Sequence, residues 1–271
     1  MIVSLAIALP LFSFSTAPMV ALEAAPVPSL RSAQDDEEKE YPDKRPEVKE
    51  WLAKLKDHVA ARGKEDREAV ALLLKLTEEF RVSGEKDRVA IVKAVAKCLD
   101  ARRKELQKDV PDNTLKLAAA KALGAMGPES VRALAGWVDN KKVRGNLELQ
   151  RRLVFSLGET KDKDATKALL DILDHHQPSL VGAAGEALGQ FTELELKDRK
   201  KLFQELLKAL MSAKGKMDAD PADNIAREWW NVVSAPLMSA MTALSKHDAK
   251  TPEEWQRFWN KNKKKDWDKG K

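Results

Sequence analysis

The side chains of this 271-residue chain that are suited to chemistry are few and scattered. Of its four histidines two are adjacent, His175 and His176, at the end of "ALLDILDHH" and just before Gln177-Pro178. Neighbours on a helix point about 100° apart, so this pair cannot chelate one ion as an i, i+4 pair does. A ring that can carry positive charge suits a helix C-terminus, and that is the role expected here. Cys98 is the only cysteine. It shares one helical stripe with Ile91, Val95 and Leu99, so it reads as a small buried apolar residue, with a reactive thiol as the alternative. No His-Glu-x-x-His, Cys-x-x-Cys, Gly-x-Ser-x-Gly or glycine-rich phosphate loop occurs. Carboxylates are abundant, but nothing in the order of residues pairs any two. The sequence thus offers no catalytic residue, no metal ligand set and no cofactor site, and it leans away from an enzyme.

Residues suited to gripping a partner are easier to find. Arg227, Trp229 and Trp230 stand together in "AREWW". Two adjacent tryptophans on a helix cannot both enter one core, so one is expected at the surface beside Arg227, the composition of an interface anchor. Burial of both between broad helices is the alternative.

Such side chains need elements to position them, and composition says which kind. Ala, Leu, Lys, Arg and Glu make up about half the chain, tyrosine occurs once, and alternating Val/Ile/Thr runs are missing. The fold class is all-α. Residues 1–24, "MIVSLAIALPLFSFSTAPMVALEA", carry no charge before Glu23 and end in small residues, the pattern of a secretory signal, with an uncleaved membrane anchor as the alternative. Residues 25–45 are rich in Pro and acid and are expected to form a flexible linker. From Gln256 onward seven Lys and Arg face only Asp266 and Asp268, a net +5 that equals the formal charge of the whole chain. The sequence pI of 9.1 therefore describes the C-terminus. Residues 263–271 read as a basic, flexible tail, with contact to an anionic surface as the sharper reading.

Between these lies a repeat. With Gly124, Gly158 and Gly189 in register, the residue nine before is Leu115, Leu149 or Leu180, and the residue one before is Leu123, Leu157 or Leu188. Small residues stand two before (Ala122, Ser156, Ala187) and apolar ones five before (Ala119, Leu153, Ala184). These positions share one helical face, and the glycine falls near a helix end, where a positive φ is tolerated. The spacings of 34 and 31 residues hold two short helices and two turns. A weaker fourth copy places Ser245 in the glycine position, with Ala240, Ala243 and Leu244 matching. Pro236 there is expected to kink or start a helix. Asp164 is the expected N-cap of "ATKALLDIL".

Through "AAAKALGAMG", "RRLVFSLGE" and "GAAGEALGQF", residues 87–244 resemble HEAT repeats, the armadillo-like helical arrays. The stretch "ALSKHDAKTPEEWQRFWNKNK", with Trp255 and Trp259 one turn apart, is similar to the terminal motif of exported bacterial HEAT proteins. The resemblance implies a right-handed α-α superhelix of about five helix pairs over residues 46–262, with the two tryptophans capping its last apolar face. "PEVKEWLAKLKDHVAARG" and "REAVALLLKLTEEFRVSG" form the N-terminal pair. On the repeat helices Lys121, Arg151, Arg152, Phe155 and Glu186 lean outward and become candidate partner contacts alongside Arg227, Trp229 and Trp230.

The function expected is a non-enzymatic exported scaffold, periplasmic or extracellular, that binds a protein partner. HEAT-like bilin lyase subunits and DNA glycosylases make an enzyme or an enzyme partner the alternative. A third reading is an anionic-polymer binder acting through its tail. A nucleic-acid role conflicts with the export signal and with near neutrality outside the tail.

Overall fold

The computed structural model describes residues 41–269 apart from residues 109 and 221. Residues 1–24, expected to be a signal segment, and residues 25–40 of the expected linker lie outside them. Among the described residues there are eleven α-helices: α1 Pro46–Ala60, α2 Asp66–Phe80, α3 Glu85–Cys98, α4 Thr114–Ala125, α5 Val131–Val138, α6 Leu147–Glu159, α7 Lys163–Ile172, α8 Pro178–Leu188, α9 Leu196–Ala219, α10 Asn224–Ser245 and α11 Pro252–Asn262. A 3-10 turn, Gly127–Ser130, leads into α5. The strands among the described residues form one antiparallel hairpin, β1 Glu105–Gln107 with β2 Val110–Pro111. The all-α reading holds.

The helices alternate between two layers. Helices α2, α4, α6, α8 and α10 pack side by side in one layer, while α1, α3, α5, α7 and α9 neighbour one another in the second. Each even-numbered helix also packs on the odd-numbered helix before it, and α11 covers α9. One helix pair thus buries its apolar stripe against the next, the packing logic of an array. Leu115, Leu149 and Leu180 are buried, as are Leu123, Leu157, Leu188 and the small residues Ala122, Ser156 and Ala187.

The repeated glycines serve a purpose other than the turn their position implied. None of Gly124, Gly158 and Gly189 has a positive φ; Gly63, Gly127 and Gly145 do. A Cβ on Gly158 would stand 2.8 Å from the carbonyl oxygen and 2.9 Å from the Cα of Ala187 on α8. On Gly124 it would meet Glu159 Oε2 at 2.6 Å and the Ser156 carbonyl oxygen at 3.1 Å, and on Gly189 the Cα of Ala240 at 3.0 Å. Each glycine lets the backbone of the next helix in its layer come closer than a side chain would allow.

Local signals set the helix ends. Asn146, Asp162, Asp223 and Thr251 cap α6, α7, α10 and α11 through side-chain oxygens that accept N–H groups of the first turn. The cap of α7 is therefore Asp162, because its carboxylate accepts the N–H of Asp164, the residue expected in that role. The caps also link repeats: Asn113 and Asn146 exchange amide hydrogen bonds of 2.7 and 3.0 Å. Pro236 lies inside α10, and the carbonyl it frees, that of Val232, faces Gly182.

Both ends of the array are tied down, and two domain boundaries shift as a result. Asp87 accepts the backbone N–H groups of Lys44 and Arg45 at 3.0 Å each, which anchors the last residues assigned to the linker. At the far end, residues 263–269 are packed and do not form a free tail. The Trp267 ring sits 5.3 Å from Phe203, and its Nε1 donates to the Asn262 carbonyl at 3.1 Å. Arg199, only 4% exposed, donates to the Leu194 and Leu244 carbonyls and to the Asp268 carboxylate. The charge count hid this docking, because one acid and one tryptophan accomplish it among lysines that stay exposed. Trp255 is fully buried, and Trp259 stacks at 5.5 Å on Phe203, so the pair covers the end of α9.

Candidate functional site

A mismatch in helix length opens a cleft. Helices α7 and α8 have 10 and 11 residues, whereas α9 and α10 have 24 and 22. At about 1.5 Å per residue the later pair overhangs the earlier by roughly 20 Å. Under the overhang lies a cleft of about 620 Å³. Asp171 and Asp174 of the α7 end form one wall with His175 and His176. The other wall is α9, whose Lys201, Glu205, Lys208, Ser212 and Lys216 recur at helical spacing, and Trp229 of α10 closes one end.

Part of the charge on these walls is unspent. Lys208 pairs with Glu205 at 3.6 Å on its own helix, and Lys216 Nζ sits 5.8 Å above the centre of the Trp229 ring. Asp171, Asp174 and Lys201 have no ion-pair partner among the described residues. The two imidazoles stack face to face with centres 4.2 Å apart. His175 Nδ1 accepts the backbone N–H of Gln177 at 3.0 Å, and burial followed by the neighbouring His176 holds its pKa below the usual imidazole value. Stacked rings do not aim their nitrogens at a common point, and no three His, Cys, Asp or Glu side chains among the described residues are placed to hold a metal ion.

Beyond Trp229 the cleft continues into a shallower apolar lip formed by Ala219, Ile225 and Ala226, which shares Lys216 and Trp229. Ile225 is 78% exposed, the most exposed large apolar side chain described. A separate hollow of about 720 Å³ lies on the C-terminal cap, where His247 stacks on Phe258 at 4.2 Å.

The residues picked from sequence fall into two groups that the fold keeps apart. Lys121 and Arg151 are exposed. Arg152 is half-buried, paired with Glu159 and set 5.4 Å from the centre of the Phe155 ring. That group belongs to α4 and α6, and α8 separates it from α10. On α10 Arg227 is exposed and hydrogen-bonded to Asn224, while Trp229 and Trp230 are both half-buried at the edge of the core. Of the eight candidates, Glu186 is exposed on α8 and Trp229 alone lines the cleft. His175 and His176 follow the end of α7 and line the cleft, but His175 accepts an N–H there and burial favours its neutral form, so it does not serve as the cation expected at that helix end. Lys201, Lys208 and Lys216 escaped notice, although their steps of seven and eight residues on a long helix mark one face.

No helix among the described residues is long and apolar enough to cross a membrane. No protein-family model, curated protein or solved structure matches this chain.

Proposed function

We propose that this chain is a non-enzymatic scaffold of HEAT-like form, a right-handed α-α superhelix, exported by its N-terminal segment, and that it seats a segment of a protein partner in the cleft under α9 and α10. The observation that carries this reading is the combination of Asp171, Asp174 and Lys201, without ion-pair partners among the described residues, with an aromatic end wall at Trp229 and an exposed apolar lip at Ile225. Charged groups without an ion-pair partner among the described residues are free to pair across an interface, where they select orientation and partner. A half-buried tryptophan supplies the anchor such contacts surround. The alternating two-layer packing supports the solenoid form, and the close approaches at the repeated glycines support a regular array.

The test is a photo-crosslinking amino acid placed at Ile225 in the full chain, expressed in cells at pH 7.5. A discrete adduct at position 225 that disappears with Trp229→Ala, and is absent from the same probe at Val82, is expected. A smear shared by both positions, or no adduct at either, overturns the assignment of the cleft as a partner site.

A further inference from the structure

The α7–α8 connection bears a proton-sensitive contact. Gln177, whose N–H His175 Nδ1 accepts at 3.0 Å, is the residue that begins α8, and its carbonyl accepts the N–H groups of Leu180 and Val181. Acceptance requires an unprotonated Nδ1, so the folded loop selects the neutral tautomer with hydrogen on Nε2. His176 lies stacked on the same ring, and a charge on either imidazole acts on the other across 4.2 Å. Val181, in the first turn of α8, lines the cleft together with both histidines. The charged groups around His175 are Asp139 at the end of α5, Asp171 and Asp174 of the α7 end, and Lys201, Glu205, Lys208 and Lys216 of α9.

We propose that His175 and His176 form a proton-operated catch on this cleft, a regulation that rests on the binding reading above. A proton taken from solvent onto His175 Nδ1 turns the acceptor into a donor. It sets N–H against the Gln177 N–H, places a charge against the His176 ring, and loosens the first turn of α8. Acidification then opens the wall against which a partner is seated.

The direction follows from linkage. His175 titrates below its unfolded value, held there by burial first and His176 second, with Asp139 opposing. Folding therefore favours the neutral ring. Its contribution is complete above about pH 6.5 and is lost as pH falls through the lower folded value.

The experiment uses the full chain without any partner, labelled for histidine NMR and for amide hydrogen exchange between pH 7.5 and 5. The expected result is that His175 titrates below about pH 6.5, and that over the same step exchange at Gln177, Leu180 and Val181, corrected for intrinsic rates, rises about tenfold while α6 amides hold. His176→Gln is expected to move the step toward higher pH, and His175→Asn, whose amide oxygen can stand in for Nδ1, to abolish it. Exchange that stays flat while His175 titrates, or a His175 already protonated at pH 7.5, overturns the catch. The wild-type titration decides this even where a variant does not fold. Because the readout needs no partner and the adduct at position 225 is scored at pH 7.5, failure of one leaves the other standing.

Discussion

Two glycine-to-alanine substitutions on neighbouring helices are expected to move stability in opposite directions. Gly136 sits in α5, exposed, and a Cβ there would meet nothing within 4 Å. Gly136→Ala removes only the entropic penalty of glycine in a helix and should stabilise by roughly 0.5–1 kcal/mol. Gly158 sits in the last turn of α6, where a Cβ would stand 2.8 Å from one backbone atom of Ala187 and 2.9 Å from another. Backbone cannot swing aside as a side chain does, so α6 and α8 must part along their contact. Overpacking of this kind costs up to about 3 kcal/mol, against a helix-propensity gain of about 1, for a net loss near 2 kcal/mol. For a domain of this size that is a fall in Tm of roughly 4–8 °C, with Gly136→Ala rising by roughly 1–4 °C. Thermal and urea unfolding followed by far-ultraviolet circular dichroism reads both. A Gly158→Ala protein as stable as wild type, or losses of equal size in the two variants, would refute the conclusion that these glycines exist for interhelix approach.

Asp66→Asn should cost about 3 kcal/mol in urea unfolding, because it removes the carboxylate charge from the Arg103 guanidinium, 2% exposed, which grips both Asp66 oxygens at 2.7 Å and keeps only the Val59 and Arg102 carbonyls, both on Nη1. Asp268→Asn should cost less, about 1–2 kcal/mol, since Asp268 is half exposed and Arg199 keeps two carbonyl acceptors; a truncation after Asn260 should cost more than this point change, as it also removes Trp267 from the Phe203 cluster. Burial pushes the Cys98 thiol up to about 12, so a thiol reagent at pH 8 should label it only once urea unfolds the chain, and prompt labelling of native protein would contradict its burial.

What could be read in the sequence is what local spacing encodes. Leu115, Leu149 and Leu180 recur with Leu123, Leu157 and Leu188 because an α-helix returns to the same face every three to four residues, and all six are buried. Prolines 178 and 252 stand in first turns, and the burial of Cys98 follows from its stripe. Caps depend on one side chain meeting an N–H two or three residues on, and even there the choice between Asp162 and Asp164 escaped a reading of periodicity.

Tertiary structure alone decided the rest, because it turns on where one helix ends relative to another. The close approach at Gly158 is a distance to Ala187, 29 residues further on, and no local pattern separates it from a glycine placed for a turn. The cleft exists because α9 outruns α7, and it gathers Asp171, His175, Lys208 and Trp229 from three separate stretches of chain. Docking of residues 263–269 follows from a buried arginine 69 residues before Asp268, a pairing that net charge cannot reveal. Helical period is a property of neighbours in sequence, whereas clefts and clamps belong to neighbours in space.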